Sequence, residues 1–172
     1  MLIACTSAHA RPNVSNETDE SLFKAAFIYN FAKFTNWPET ALAENSTLLL
    51  CTIGKLEAGF DLKRLSGKII KNRQVEIKSL NKNQSAKNCH MLYIAKSEKK
   101  RFKKTIKKLK GKSILTVSDL PGFVKNGGII QFNRKKGKTQ LIINLDHARE
   151  ANLEISSRLL ILAEVTGKQA KP

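Results

Sequence analysis

Along most of the chain, short runs of consecutive apolar residues alternate with stripes at helical spacing, a pattern that predicts an α/β fold. The runs read as strands at Leu48–Ile53, Gln74–Leu80, Cys89–Ile94, Ile114–Val117, Ile129–Phe132 and Leu141–Ile143. Continuous apolar character in several of them suits strands covered on both faces. The stripes read as helices. From Glu20, the residues Leu22, Phe23, Ala26, Phe27, Tyr29, Phe31 and Phe34 form an aromatic-rich face, and Trp37-Pro38 ends it. A second helix is predicted around Leu56, Phe60, Leu62 and Leu65, stopping at Gly67. A third is capped by Ser97 and runs to Lys110, with Phe102, Ile106 and Leu109 on one narrow face. After Asn144 and Asp146, which offer cap chemistry, the run from Ile155 to Val165 predicts a terminal helix. Its residues Ile155, Leu159, Leu162 and Val165 recur at helical spacing, widened by Leu160 and Ile161, and read as core packing.

The last two strands are joined by the Asn133–Lys138 turn and so predict an antiparallel hairpin. Most of the remaining strands are separated by helical segments, with a polar loop at Asn81–Asn88 between the second and third, which suits a mostly parallel sheet. The expected architecture is a single-domain three-layer α/β sandwich with flavodoxin-like strand order, a C-terminal antiparallel hairpin and a terminal helix. Its domain spans residues 20–166, preceded by a flexible segment at 11–19 and followed by a tail at 167–172. Residues 1–10 stand apart. MLIACTSAHA is apolar and ends in Ala8-His9-Ala10, the small-x-small pattern of a signal-peptide cleavage site, and reads as a truncated signal-peptide remnant. Leu2-Ile3-Ala4-Cys5 also resembles a lipoprotein processing box, the lesser alternative. Both readings imply export.

Charge changes the picture next. The chain carries 31 Lys and Arg against 14 Asp and Glu, a net +17. That favours an anionic partner without selecting nucleic acid, headgroups, envelope polymer or acidic protein. The excess is concentrated between Lys96 and Lys112, where ten basic residues stand against Glu98 alone. Lys100, Arg101, Lys104, Lys107 and Lys108 are the candidate interaction surface, weighed against a merely solvated helix face. No recognised nucleic-acid module or aromatic interleaving accompanies them, so no specific nucleic-acid partner is expected. No run reaches the roughly 20 apolar residues of a membrane helix.

With Cys5 set aside, two cysteines remain, Cys51 and Cys89. In an oxidising compartment a bridge between them would close a long loop, and adjacent strands in the flavodoxin-like order would bring them near. Two buried free thiols are the other reading. Without a C-x-x-C pair, and with His90 and His147 the histidines beyond the processed segment, no metal site is expected. Gly54 and Gly59 have P-loop spacing, but Phe60-Asp61 stand where Lys and Ser or Thr are needed. Ser118, Asp119 and His147 make a triad only by selection, so no enzymatic activity and no cofactor are expected. Polar residues at strand ends still mark a candidate ligand pocket, namely Ser118, Asp119, Gly127, Gly128 and Asn144. Capping and turn formation compete for each.

Three stretches together resemble the YfiR/HmsC-like family of periplasmic regulators: FKAAFIYNFAKFTNWP (Phe23 to Pro38), SILTVSDLPGFVKNGGIIQF (Ser113 to Phe132) and LIINLDHAREANLEISSRLLILA (Leu141 to Ala163). Asn144 and SSRLLILA match the family's asparagine and its small-polar-Leu-Leu-x-Leu-Ala helix. The resemblance implies a structural disulfide at Cys51 and Cys89; a second cysteine pair carried by some members is absent from this sequence. It implies a periplasmic, typically dimeric repressor that binds the periplasmic sensor region of an inner-membrane diguanylate cyclase, lowering cyclic di-GMP and biofilm formation. Family domains also serve as sensory modules, so the alternative is a sensor with a strand-end pocket for a small anionic or aromatic ligand. The lysine-rich helix departs from the family's pattern.

Overall fold

A computed structural model describes residues 14–42 and 47–167. The signal-peptide remnant at 1–10, Cys5 and most of the tail lie outside the described residues. Helix α1 spans Val14–Lys33. It therefore begins inside the stretch expected to be flexible; no Gly or Pro interrupts Val14–Lys33, so nothing in the sequence stops the helix from extending back. Strand β1 (Thr35–Asn36) follows, then β2 (Leu48–Ile53), β3 (Ile69–Ile70), β4 (Arg73–Leu80) and β5 (Met91–Ile94). Helix α2 covers Phe102–Leu109 and leads to β6 (Leu115–Ser118), β7 (Ile130–Lys135) and β8 (Lys138–Asn144). The chain closes with α3 (Leu145–Glu150), β9 (Glu154–Ile155), α4 (Ser157–Leu160) and β10 (Ala163–Thr166).

Eight strands form one sheet in the order β10-β8-β7-β6-β5-β2-β4-β3. Within it β4, β2, β5, β6 and β7 are mutually parallel, in the doubly wound order expected from sequence. β7 and β8 form the antiparallel hairpin. Its turn is tighter than expected: Lys135 pairs with Lys138 across Lys136-Gly137, both at positive φ, the two-residue geometry that matches strand twist. A separate two-stranded ribbon, β1 with β9, ties the end of α1 to the C-terminal segment.

Alternation along the strands divides the core. Leu50, Met91, Tyr93, Leu115 and Val117 face one side with Ile28, Phe31 and Ala32 of α1. Cys51, Ile53, Leu92 and Ile94 face the other, beneath Phe102 and Leu109 of α2. Helices on both faces of a mostly parallel sheet make the three-layer sandwich.

Three helices differ from expectation. The terminal helix shrinks to the single turn of α4, and Ala163–Thr166 becomes a strand parallel to β8, with Val165 opposite Ile143. The outer edge of β8 offers backbone partners, and pairing there satisfies more main-chain groups than an isolated extra helical turn would. Around Leu56–Leu65 only Leu62–Leu65 winds, as a 3-10 turn capped by Asp61, because Gly59 sits at positive φ just before it. Ser97 does not cap α2. Its Oγ instead accepts from the Lys55 N–H at 2.8 Å, locking the loops after β2 and β5 together, and the helix starts at Phe102.

Candidate functional site

The parallel strands β2, β5 and β6 end side by side, and the loops that leave them carry Glu57, Lys96 and Asp119. Over them lies α1, whose Lys24 stands four and seven residues before Ile28 and Phe31 on the buried face. The four side chains form one network. Lys24 Nζ donates to Glu57 Oε2 at 2.8 Å and to Asp119 Oδ2 at 3.1 Å. Lys96 Nζ donates to Glu57 Oε1 at 2.6 Å and lies 3.3 Å from Asp119 Oδ2.

Burial alone would push the Lys24 amine down, and it is the largest single influence; the two carboxylates together outweigh it and hold the amine above its ordinary value. The same balance raises Lys96. For Glu57, desolvation acts upward, but hydrogen bonds from Lys24 and Lys96 bring the carboxyl below the usual range. Lys24, Lys96 and Glu57 are each held in their charged forms by these contacts. Among the described residues Asp119 Oδ1 has no hydrogen-bond partner, and the residue is only 8% exposed. Asp119 lines a cleft of ≈ 380 Å³ together with Lys24, Lys96, Lys99, Phe132 and Arg134.

The five strand-end residues are not brought together. Ser118 and Asp119 leave the carboxyl end of β6, whereas Gly127 and Gly128 precede β7 beside the start of β6. Ser118 is wholly buried, donating to the Ile94 carbonyl at 2.6 Å and accepting from Leu120 N–H, so it fastens β6 to β5. Gly127 closes the 3-10 turn Val124–Asn126 at positive φ. Gly128 packs so closely on Phe123 that a Cβ would sit 2.2 Å from the ring. Asn144 caps α3 by accepting from His147 N–H at 3.1 Å. For Ser118, Gly128 and Asn144 the structural reading accounts for the residue; Asp119 alone of the five lines the cleft at the strands' carboxyl ends.

On the opposite face of the sheet from α1, the basic helix presents its charge outward. Lys100, Lys104, Lys107 and Lys108 are exposed, while Phe102 and Leu109 are buried and Ile106 half-buried. Arg101 is also exposed but grips Glu98 with Nε and Nη2 at 3.0 and 2.9 Å, which removes it from the freely solvated set. Sequence reasoning missed Lys24, Glu57 and Lys96 as partners of Asp119. The available signal was Lys24 itself, a lysine on the buried stripe of an aromatic helix, where a charge needs a partner.

The family model for YfiR/HmsC-like proteins matches residues 21–164, from the first described side chains of α1 into β10. The chain belongs to the YfiR/HmsC-like family. No curated protein matches the chain. YfiR/HmsC-like proteins are regulatory rather than catalytic and periplasmic, and no described helix of this member is long and apolar enough to cross a membrane. In this YfiR/HmsC-like fold Cys51 of β2 and Cys89, two residues before β5, are joined as a disulfide with Cα atoms 5.9 Å apart. Their adjacency follows from the β2–β5 pairing, in which Cys51 stands opposite Leu92.

Proposed function

We propose that this protein is a periplasmic repressor that binds the periplasmic sensor region of an inner-membrane diguanylate cyclase, lowering cyclic di-GMP and biofilm formation without catalysing a reaction itself. The observation that carries the reading is the family match across the whole folded core, from α1 to β10. Regulation by binding requires only that the repressor favour the cyclase conformation that turns over slowly; the free energy comes from its differential affinity for the two states. The outward face of α2, with Lys104, Lys107 and Lys108, and Lys100 just before it supply an electropositive surface suited to an acidic sensor region, and such charges act mainly on encounter rate and partner choice.

Pull-down from native membranes with the tagged exported protein tests the partner, and cyclic di-GMP in a deletion strain tests the consequence. A recovered membrane cyclase and a raised nucleotide level are the expected pair. Unchanged cyclic di-GMP in the deletion strain overturns the reading. Reversing Lys104, Lys107 and Lys108 to Glu should slow association and flatten its salt dependence while leaving the fold intact.

A further inference from the structure

We infer that the tip of the β7–β8 hairpin is a docking element for an anionic phospholipid surface. The inference goes beyond the cyclase reading and stands without it. The tip projects from the sheet. β6 ends at Ser118, paired with Gln131, and β10 pairs no nearer the turn of β8 than Leu141. Among the described residues, the last rungs of the hairpin, Asn133 with Gln140 through Lys135 with Lys138, therefore have no strand on either side. Phe132 to Lys135 carry β7 past the end of β6 by roughly 13 Å, at about 3.3 Å per residue. Arg134, Lys135, Lys136 and Lys138 are all exposed. Arg134 already has a partner within the chain, whereas the three lysines have no hydrogen-bond or ion-pair partner among the described residues.

Lysine is a poor choice for the fold at these three places. Lys135 stands directly opposite Lys138, and like charges facing each other across an antiparallel pair oppose the pairing. Lys136 takes the first turn position at φ 50°, where Asn, Asp or Gly is favoured. An anionic surface removes the repulsion and gives all three charges a partner at once. The character of the tip selects among anions. Residues 134–138 read RKKGK, with no apolar or aromatic side chain to anchor in a protein pocket. A two-residue turn is also too narrow for a protein interface of ordinary size, about 800 Å² on each partner. A plane of phospholipid headgroups needs neither anchor nor area: it attracts each basic residue near it, and a projecting tip reaches it first. The family's periplasmic setting sets nucleic acid aside.

Flotation of the protein with vesicles of phosphatidylglycerol and phosphatidylcholine in equal parts, against phosphatidylcholine alone, tests the docking. Binding to the anionic vesicles only is expected, weakening as added salt shortens the screening length. Lys135→Gln, Lys136→Asn and Lys138→Gln together should reduce it about a hundredfold, about fivefold for each lysine withdrawn. The same triple variant completes an Asn-Gly turn, so it should melt no lower than the native protein. Lys68→Gln, Lys78→Gln and Lys87→Gln together alter exposed lysines around β3 and β4, toward the far edge of the sheet. They lower the net charge equally and should weaken binding less than about fivefold. Equal losses in the two triple variants would assign the binding to net charge and overturn the tip as its site. Failure to bind anionic vesicles overturns the inference outright. So does a tip variant that melts below the native protein, because the lysines would then serve the fold. Dextran sulfate bound where the vesicles are not, with the same loss in the tip variant, would replace the lipid surface by an anionic polymer and overturn the assignment of the occupant.

Discussion

His90 shows how much one half-buried side chain can fix. Its Nδ1 accepts from Leu49 N–H at 2.9 Å, and its Nε2–H donates to the Ala41 carbonyl at 3.0 Å, which requires the neutral ring. Burial lowers its proton affinity most, and the positive charge of Arg73 adds to this, while the Ala41 hydrogen bond opposes them. The native ring therefore titrates below 6.5, the value it regains on unfolding. Between those two points the unfolded chain holds the extra proton, so stability falls as pH drops below about 6.5 and levels off below the native value. Urea midpoints measured from pH 7 to 5 should decline, and His90→Gln, which does not titrate, should flatten that part of the curve. Gly128 carries a different constraint. With Phe123 fully buried against it, Gly128→Ala must displace the ring, an overpacking that should cost about 1–3 kcal/mol in denaturant titration. Removing one partner of the buried network is costlier. Lys24→Met leaves Asp119 with Lys96 alone, so a loss near the lower end of the 3–5 kcal/mol range for broken buried pairs is expected, about 3 kcal/mol.

Among the elements, strands were more legible than helices. A run such as Leu48–Ile53 has its apolar character because both faces are covered, and that fact is local to the run. The same holds for the β7–β8 hairpin, announced by a polar turn between two apolar runs. The terminal segment was misleading because a periodic stripe does not say where an open sheet edge lies. Leu159 is wholly buried, as the stripe implies, but Ile161 and Leu162 are 81% and 56% exposed once the chain leaves α4 for the edge of β8. The two arrangements differ measurably. A parallel edge strand directs alternate N–H groups toward its neighbour, so hydrogen exchange over 163–166 should show alternating protection rather than the continuous protection of a helix. Leu159→Ala should cost about 2–5 kcal/mol, whereas Ile161→Lys should stay within about 0.5 kcal/mol.

For the molecule as a whole, the doubly wound order was readable because apolar runs separated by crossover-length segments leave few alternatives, and that order placed Cys51 near Cys89. The charge network was not readable. It joins Lys24, Glu57, Lys96 and Asp119 from four separate segments, and only the converging ends of β2, β5 and β6 make them neighbours. The disulfide acts at this same scale. It links β2 to the start of β5 across 38 residues, a stretch that includes the β3–β4 hairpin and the following polar loop. In the chain-entropy account a loop of that length contributes about 4 kcal/mol by restricting the unfolded state, leaving native contacts unchanged. Cys51→Ala with Cys89→Ala should therefore lower the unfolding free energy by about that amount while the circular dichroism of the folded state is retained. Adding reductant should destabilise the native sequence and leave the double variant unaffected. A native sequence indifferent to reductant would mean that the bond does not form in the protein as isolated, and the loop-entropy account of its stability would fail with it.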